Sequence, residues 1–194
     1  LIVMSEAIKK IGLAFLDVLQ TVVLAAAVSM VIYLFVLQPH QVRGQSMVPS
    51  FEDGEYLLTD KLSYRFGEPR RGDVVVLKAP ATEWCAERQC EYIKRIIAMA
   101  GDRVSLMNGK VIVNGQEAPV SFLPSGKQTN QGSFLKEGVE VTIAEGEYLV
   151  MGDNRLHSRD GREFGPVPRE SLVGKVWMRY WPLSEAGVVE QIHF

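Results

Sequence analysis

Three short polar segments of the chain hold residues that could carry out nucleophilic catalysis. The first contains Ser46, which lies between Gly44 and Pro49. Gly44 allows another backbone segment to approach closely, and Pro49 fixes the chain just after the serine, so together they could present the Ser46 hydroxyl on a rigid turn. A serine hydroxyl becomes an effective nucleophile when a base takes its proton. The alternative interpretation of this segment is an ordinary surface turn.

The second segment provides a candidate base, Lys94. It lies in residues 92–99, Tyr-Ile-Lys-Arg-Ile-Ile-Ala-Met, whose composition predicts a strand. Alternate residues of a strand share a face, so Lys94 shares an otherwise apolar face with Tyr92 and Ile96. Burial of that face would lower the pKa of the amine, and a neutral amine can accept a serine proton. The alternative is a lysine whose ammonium reaches water beyond an apolar stem.

The third segment, residues 152–165, reads Gly-Asp-Asn-Arg-Leu-His-Ser-Arg-Asp-Gly-Arg-Glu-Phe-Gly. Its glycines and short polar side chains predict an elaborate loop with many side-chain to backbone hydrogen bonds. The residues alone leave open whether this loop belongs to a site or is a solvated turn with one Asp–Arg pair.

Composition argues against several other functions. With 194 residues, a net charge of -2 and 47% hydrophobic residues, the chain has room for one ordinary domain and a membrane segment. Its lysines and arginines are not clustered, so we predict no nucleic-acid partner. With only two cysteines, and with His40, His157 and His193 lacking metal-ligand spacing, we predict no metal and no cofactor. The three histidines are interpreted as surface or loop residues.

An apolar run at residues 18–38 predicts a transmembrane helix. Its only ionisable side chain is Tyr33, and a helix of this length spans a hydrocarbon core of about 30 Å. Three alanines in the run leave a cleavable signal peptide as the alternative, but the apolar stretch continues beyond the length of a signal core. Lys9 and Lys10 precede the run and only Arg43 follows closely. The positive-inside rule therefore predicts a cytoplasmic N-terminus and an extracytoplasmic C-terminal domain in the cell membrane.

Beyond this helix, short alternating runs rich in Val, Ile, Tyr and Phe predict an all-β, antiparallel domain. The predicted strands cover residues 55–58, 73–78, 92–99, 103–107, 110–113, 139–143, 147–151 and 173–180. Asn108-Gly109 separates two of them and is a strong hairpin signal. Prolines, glycines and polar residues at 118–138 predict a long mobile loop.

These elements predict a discontinuous catalytic domain. Residues 1–17 would form a short cytoplasmic tail, and residues 39–106 and 147–194 the extracytoplasmic catalytic domain. Residues 107–146 would form an inserted subdomain of β-hairpin and loop.

Cys85 and Cys90 are separated by four polar residues that could form a hairpin tip. We predict a disulfide between them outside the cytoplasm, with a pair of free thiols as the alternative.

Four motifs occur in order behind the predicted anchor. They are Gly-x-Ser-Met-x-Pro-Ser at 44–50, Arg-Gly-Asp-Val-Val-Val at 71–76, Lys-Arg with a following Gly-Asp at 94–102, and the whole segment 152–165. With them the chain resembles the bacterial type I signal peptidases from the anchor to Trp181-Pro182. These membrane-anchored serine proteases remove signal peptides from exported proteins.

The resemblance implies that Ser46 is the nucleophile and Lys94 the general base. It implies that Ser158 orients the Lys94 amine, that Asp160 and Arg162 form a structural ion pair, and that Asp153 is a supporting carboxylate. Ser46 and Lys94 would thus take part in the reaction itself, whereas the other four residues would support them.

The resemblance also implies substrates, a membrane surface and a fold. Preprotein signal peptides would bind as an extended strand, with small residues at the first and third positions before the cut. An antiparallel sheet of signal-peptidase type would present a lipid-facing apolar surface, for which Phe51, Trp177 and Trp181 are candidates.

The chain departs from the family pattern at Gly44, where some members have a serine that donates its hydroxyl to the oxyanion hole. Here the hole would depend on the Ser46 backbone N–H and a second donor that the sequence does not identify. The family usually has threonine at the position of Ser50, which keeps the hydroxyl.

Two other functions are considered beside signal peptide cleavage. Ser-Lys chemistry also occurs in self-cleaving SOS repressors, but those carry a DNA-binding region and no membrane anchor. A membrane-anchored β domain that only binds exported chains is the second, and the presence of Ser46, Lys94 and Ser158 argues against it.

Overall fold

The structure, a computed structural model, describes residues 2–81, 83, 90–119, 128–192 and 194. It divides into two compact units, Leu1–Gln38 and Pro39–Phe194. Cys90 is disulfide-bonded, whereas Cys85 lies outside the described residues.

The first unit is built on one long helix, α1, at Ile2–Phe35. Its segment Lys10–Phe35 has 26 residues and contains an 18-residue stretch with a mean hydropathy of 2.3, and at 1.5 Å per residue it is about 39 Å long. By length and composition it could cross a membrane. The helix ends at Phe35 rather than at the predicted residue 38, and the chain continues as a strand at Leu37–Gln41.

Beyond α1, the described residues form strands, two one-turn α-helices and two short 3-10 helices at Arg169–Ser171 and Leu183–Glu185. The strands in chain order are β1 (Leu37–Gln41), β2 (Tyr56–Asp60), β3 (Val74–Lys78), β4 (Glu91–Met99), β5 (Arg103–Met107), β6 (Lys110–Val113), β7 (Gln116–Glu117), β8 (Glu140–Thr142), β9 (Glu147–Met151), β10 (Val167–Pro168), β11 (Leu172–Trp181) and β12 (Gly187–Val188). The helices are α2 (Ser63–Phe66) and α3 (Gly161–Phe164).

These strands form two sheets. The larger has the order β1-β2-β11-β3-β4-β9-β10, with β12 on β11, and the smaller has the order β7-β6-β5-β8. The strand pairs of known register are antiparallel. The predicted antiparallel all-β class with a small second sheet behind an apolar helix is therefore confirmed. The smaller sheet begins at Arg103, so the end of the first predicted catalytic block, residues 103–106, lies in that sheet.

The larger sheet curls, and His40 shows this directly. His40 lies on β1, yet its Nε2 is 2.9 Å from Glu91 Oε2 on β4, and its Nδ1 is 3.0 Å from Thr59 Oγ1. The His40 side chain is 10% exposed, so its interpretation as a surface histidine is wrong. His157 is exposed, and His193 lies outside the described residues.

The apolar core lies on both sides of β4 and β9. Ile97 and Leu149 of the larger sheet pack with Val104 and Leu106 of the smaller one, so the two sheets share a core. A second cluster contains Phe51 together with residues of β2, β3 and β11.

The burial of Phe51 corrects one expectation about the lipid-facing surface. Its side chain is 3% exposed and belongs to the core, because the turn after Ser46 directs it inward. Trp177 and Trp181 are 44% and 52% exposed. Of the three candidates for contact with lipid, only these two tryptophans present an accessible side chain.

The expectation of a mobile loop at 118–138 is wrong for the part that the structure describes. Leu135 is fully buried in the core, and its N–H donates to the Arg162 carbonyl over 3.0 Å. Thr129 Oγ1 accepts a hydrogen bond of 3.0 Å from the Arg155 Nη1. The segment therefore packs against the loop of residues 152–165.

Candidate active site

The fold brings Ser46 and Lys94 together across 48 residues of sequence. Lys94 Nζ lies 2.8 Å from Ser46 Oγ and donates a hydrogen bond to it. The lysine is 4% exposed, whereas Ser46 is half-buried. A shielded amine therefore contacts the hydroxyl of a residue that is only partly buried.

Lys94 is held by the strands on both sides of β4. Its Cα partner on β3 is Val75, which is fully buried. On the other side Arg95 is the partner of Met151, the last residue of β9, so Lys94 lies beside the point where β9 ends. The loop that starts at Gly152 begins there, and this leaves room for the Ser46 segment to reach the amine.

Burial lowers the pKa of Lys94 to about 8 from its ordinary 10.5. The carboxylates of Asp160 and Asp153 act in the opposite direction, and the Arg162 guanidinium adds to the lowering. The direction is the one that the apolar face of β4 predicts. At pH 7 an amine of pKa 8 is about one-tenth neutral, roughly 300 times more than an amine of pKa 10.5.

Ser46 lies in a tight turn that is anchored by the side chains that follow it. Met47 and Phe51 are 1% and 3% exposed, and the Phe51 N–H donates to the Met47 carbonyl over 3.0 Å. At the start of the turn the Gly44 N–H donates to Asp53 Oδ1 over 2.7 Å. The Val48–Pro49 peptide bond is cis.

Gly44 is needed for its backbone conformation and not for close packing. Its φ is +85°, and a Cβ added there would meet nothing within 4 Å. The expected close approach of another backbone segment at Gly44 is therefore wrong. The left-handed φ explains the glycine because other residues rarely adopt it.

Asp153 ties the turn to β4. It is fully buried and accepts two hydrogen bonds from Arg95, Nε to Oδ1 at 3.0 Å and Nη2 to Oδ2 at 2.7 Å. The Ser50 hydroxyl donates to the same Oδ2 over 2.6 Å. The carboxylate thus connects the strand of Lys94 to the turn of Ser46, which supports the position of both.

Asp160 and Arg162 form the ion pair that the resemblance implies. Arg162 donates from Nε to Asp160 Oδ1 and from Nη2 to Oδ2, both over 2.8 Å. The Gly152 N–H donates to Asp160 Oδ2 over 2.9 Å. Burial alone would raise the pKa of Asp160, but these bonds hold that pKa below its ordinary value.

Ser158 lies close to the reacting groups without contacting the amine. A Cβ added to Gly152 would be 2.2 Å from Ser158 Oγ and 2.4 Å from the Ser46 carbonyl oxygen. The Ser158 hydroxyl is buried and lowers the pKa of Asp160 slightly, but it completes no hydrogen bond of normal geometry to any described residue. The expected Ser158–Lys94 hydrogen bond is therefore not formed in this structure.

Three further residues of the site were given no role in it from the sequence. Ser50 binds Asp153, Gly152 makes room for the Ser46 carbonyl, and Asn154 hydrogen-bonds the backbone on both sides of the Ser46 Cα. Each lies in one of the four motifs, which is the signal that could have found them. Within the ranges that the structure describes, no group of three or more His, Cys, Asp or Glu side chains is placed to hold a metal ion.

The chain is similar in sequence to known proteins of one family. Residues 15–181 match the family described as signal peptidase, peptidase S26. The chain is 31% identical over 176 residues to signal peptidase IB of Staphylococcus aureus strain Mu50, covering 85% of this chain and 88% of that protein. It is 38% identical over 168 residues to signal peptidase I of Bacillus caldolyticus, covering 83% and 88%.

A crystal structure of a signal peptidase I from Enterococcus faecalis V583 is also similar, with a TM-score of 0.45 and 24% identity over 56% of this chain and 97% of that one. The sequence matches and their coverage show the family. The chain belongs to the signal peptidase family, peptidase S26, as a signal peptidase I, a serine endopeptidase that cleaves signal peptides from secreted preproteins.

Proposed function

We propose that Ser46 is the nucleophile of this cleavage and Lys94 its general base. The observation that carries the proposal is the 2.8 Å separation between Ser46 Oγ and the buried Lys94 Nζ. Burial favours the neutral amine, whose lone pair can accept the hydroxyl proton. An amine that loses its charge near neutral pH is suited to this step, because a base works best when its pKa lies near the working pH.

The acylation step uses both groups. The neutral Lys94 amine takes the Ser46 proton as Oγ attacks the scissile carbonyl carbon, which gives a tetrahedral oxyanion and an ammonium. The Ser46 backbone N–H is a donor for that oxyanion. Collapse of the intermediate breaks the C–N bond, and the Lys94 ammonium protonates the departing amine. The signal peptide remains as an ester on Ser46.

The deacylation step repeats this chemistry with water. Lys94, neutral again, takes a proton from a water molecule that attacks the ester carbonyl. The second tetrahedral intermediate releases Ser46 Oγ, which recovers its proton from Lys94. The free signal peptide leaves with a carboxyl terminus, and the enzyme returns to its starting state.

In this proposal Asp153, Asp160 and Arg162 position the loop and the turn rather than react. Asp153 connects the turn to β4 through Ser50 and Arg95, and the Asp160–Arg162 pair fixes the loop carrying Ser158. Arg162 Nη2 also donates to the Ser158 carbonyl over 3.1 Å. Because the Ser158 hydroxyl forms no hydrogen bond to the Lys94 amine in this structure, the proposal gives Ser158 no role in orienting that amine.

The location of the reaction is also part of the proposal. Helix α1 anchors the chain in the cell membrane, with the N-terminus cytoplasmic and the β domain outside, in keeping with the basic residues Lys9 and Lys10. The exposed Trp177 and Trp181 are suited to contact with lipid at the interface.

The substrate binds as an extended strand with small residues at the first and third positions before the cut. Residues 39–106 and 147–194 form the catalytic domain, with 107–146 inserted.

The nucleophile is tested by preprotein cleavage with detergent-solubilised Ser46→Ala. This variant should fold and yield no defined shorter product, because a methyl group cannot attack a carbonyl. Ser133→Ala is the matched control, since Ser133 is exposed and its hydroxyl binds Glu163 instead. Normal processing by Ser46→Ala would refute the assignment.

The base is tested by Lys94→Arg, which should fold and lack activity because a guanidinium stays protonated at any working pH. Lys78→Arg is its control, because Lys78 lies exposed on the neighbouring strand β3. Substantial cleavage by Lys94→Arg, at a rate near that of the control, would remove Lys94 from the mechanism.

A further inference from the structure

One residue of the 152–165 loop holds the backbone on both sides of the Ser46 Cα. The Asn154 side chain donates from Nδ2 to the Gln45 carbonyl oxygen over 3.0 Å. The Asn154 backbone N–H donates to the Ser46 carbonyl oxygen over 2.9 Å. Two successive peptide groups are therefore bound by Asn154, which is itself 7% exposed.

The first of these bonds determines where the Ser46 N–H points. The Gln45 carbonyl and the Ser46 N–H belong to the same planar peptide group, and in a trans peptide they point in opposite directions. Fixing the Gln45 oxygen on Asn154 therefore fixes the Ser46 N–H on the opposite side. The Val48 N–H also donates to the Gln45 oxygen, over 3.3 Å, but Val48 lies within the same turn and would move with it.

The Ser46 N–H is available for a ligand. Across the ranges that the structure describes, it donates no hydrogen bond. A backbone N–H beside the nucleophile that has no partner within the protein is the kind of donor that an oxyanion hole requires. Its direction matters because such a donor acts only when it is aimed at the developing oxyanion.

The other end of the Asn154 amide approaches His157. Asn154 Oδ1 lies 3.3 Å from His157 Nδ1, and this oxygen accepts a hydrogen bond from the ring nitrogen when that nitrogen carries the proton. The His157 backbone N–H donates to the Asn154 backbone carbonyl over 3.0 Å. With Oδ1 on the His157 side, the NH₂ group faces the Gln45 carbonyl.

We propose that Asn154 is a positioning residue of the oxyanion hole: its side-chain amide keeps the Ser46 N–H aimed at the oxygen of the tetrahedral intermediate. The proposal rests on Ser46 being the nucleophile, as proposed above. Asn154 does not touch the substrate and acts through the Gln45–Ser46 peptide group. Loss of one oxyanion donor costs about 100-fold to 1000-fold in kcat, so loosening this donor should cost at least about 10-fold with little change in KM.

The test compares two inhibitors of the same signal-peptide sequence, a peptide aldehyde and the corresponding primary alcohol. The aldehyde forms a hemiacetal with a serine nucleophile, and its oxygen occupies the oxyanion hole, whereas the alcohol binds without reacting. Inhibition constants are measured on the full detergent-solubilised chain. The wild type should bind the aldehyde more tightly, and Asn154→Ala should lose at least about 10-fold of that preference while its alcohol affinity stays unchanged.

Two further variants sharpen the comparison. Asn154→Asp keeps the size of the side chain but places an acceptor against the Gln45 carbonyl, so it should lose at least as much preference as Asn154→Ala. Gln191→Ala is the matched control, because the Gln191 amide donates to the Val176 and Val189 carbonyls over 3.0 and 3.3 Å and binds no carbonyl of the Gln45–Ser46 segment. The Gln191→Ala variant should lose thermal stability and keep the full preference for the aldehyde over the alcohol.

The possible results separate this inference from the proposed function. A full aldehyde preference in folded Asn154→Ala or Asn154→Asp overturns the role of Asn154 and leaves Ser46 as the nucleophile. An equal loss of affinity for both inhibitors also overturns it, because the residue then only shapes the binding surface. If the wild type itself shows no aldehyde preference, the nucleophile assignment fails, and the role of Asn154 fails with it.

Discussion

Replacing Lys94 by methionine should abolish cleavage and, at pH 7, make the protein more stable. Methionine has about the length and the apolar character of the lysine stem but has no amine. The two carboxylates nearest to the amine keep their partners, since Asp153 is paired with Arg95 and Asp160 with Arg162. No buried charge is therefore left without a partner by the change.

The size of the effect follows from the pKa of Lys94, which burial lowers from 10.5 to about 8. A tenfold change in proton affinity is worth about 1.4 kcal/mol, so the buried ammonium destabilises the fold by about 3 kcal/mol. The variant also loses the hydrogen bond to Ser46, which is worth about 1 kcal/mol. A net gain of about 2 kcal/mol remains, which for a domain of this size raises the Tm by about 4–8 °C.

The gain should depend on pH in a defined window. Between pH 8 and 10.5 the unfolded lysine is protonated and the folded one is not, so wild-type stability rises with pH there. Below pH 8 both states carry the proton and the destabilisation is complete. Above 10.5 neither state is protonated, and the advantage of Lys94→Met should vanish.

The assay is thermal unfolding of the two detergent-solubilised proteins from pH 6.5 to 10.5, with Lys78→Met as control. Lys78 is exposed on β3, so its replacement should change the Tm little. If the Lys94→Met protein is less stable than the wild type at pH 7, the buried site of Lys94 does not favour the neutral amine over the ammonium. A stability difference that stays constant across this pH range would lead to the same conclusion.

Two other substitutions test the packing around the nucleophile. Gly152→Ala should fold and lose at least about 100-fold in kcat/KM, because its Cβ would lie 2.4 Å from the Ser46 carbonyl oxygen and must displace the nucleophile. Gly187→Ala, with nothing within 4 Å of its Cβ, should cleave normally, and equal rates for the two variants would contradict the packing. Ser50→Ala should lower the free energy of unfolding by about 1.5–3 kcal/mol, because it removes a hydrogen bond to the buried Asp153 carboxylate. Ser50→Thr keeps that hydroxyl and should lose much less, so an equal loss in denaturant unfolding would show that the bond is unimportant.

The strands that are bounded by clear turn residues were predictable from the sequence. Residues 103–107, 110–113 and 147–151 coincide with β5, β6 and β9. Between the first two, Asn108 and Gly109 have φ of +52° and +72°, which is the turn that Asn-Gly predicts. Strand β1 was not predicted because its first residue, Leu37, continues the apolar run of the helix, and hydropathy does not separate a helix end from a strand start.

The types of the reacting residues were predictable, but their surroundings were not. The motifs indicate Ser46 and Lys94, and the alternation of β4 indicates that the lysine lies on an apolar face. The motif at 152–165 marks Asn154 as part of the site, but its role could not be assigned because its partners are carbonyl oxygens, which every residue has. The burial of Leu135 within a segment rich in glycine and proline likewise depends on a contact with Arg162 that composition does not reveal.

The central claim is that a neutral Lys94 takes the proton of Ser46, and the pH dependence of kcat/KM for a signal-peptide substrate tests it most directly. The rate should rise tenfold per pH unit on the acidic side and inflect near pH 8, because burial lowers the pKa of Lys94 to about 8. An acidic limb that continues to rise toward 10.5, the ordinary pKa of a lysine, would contradict a buried lysine base.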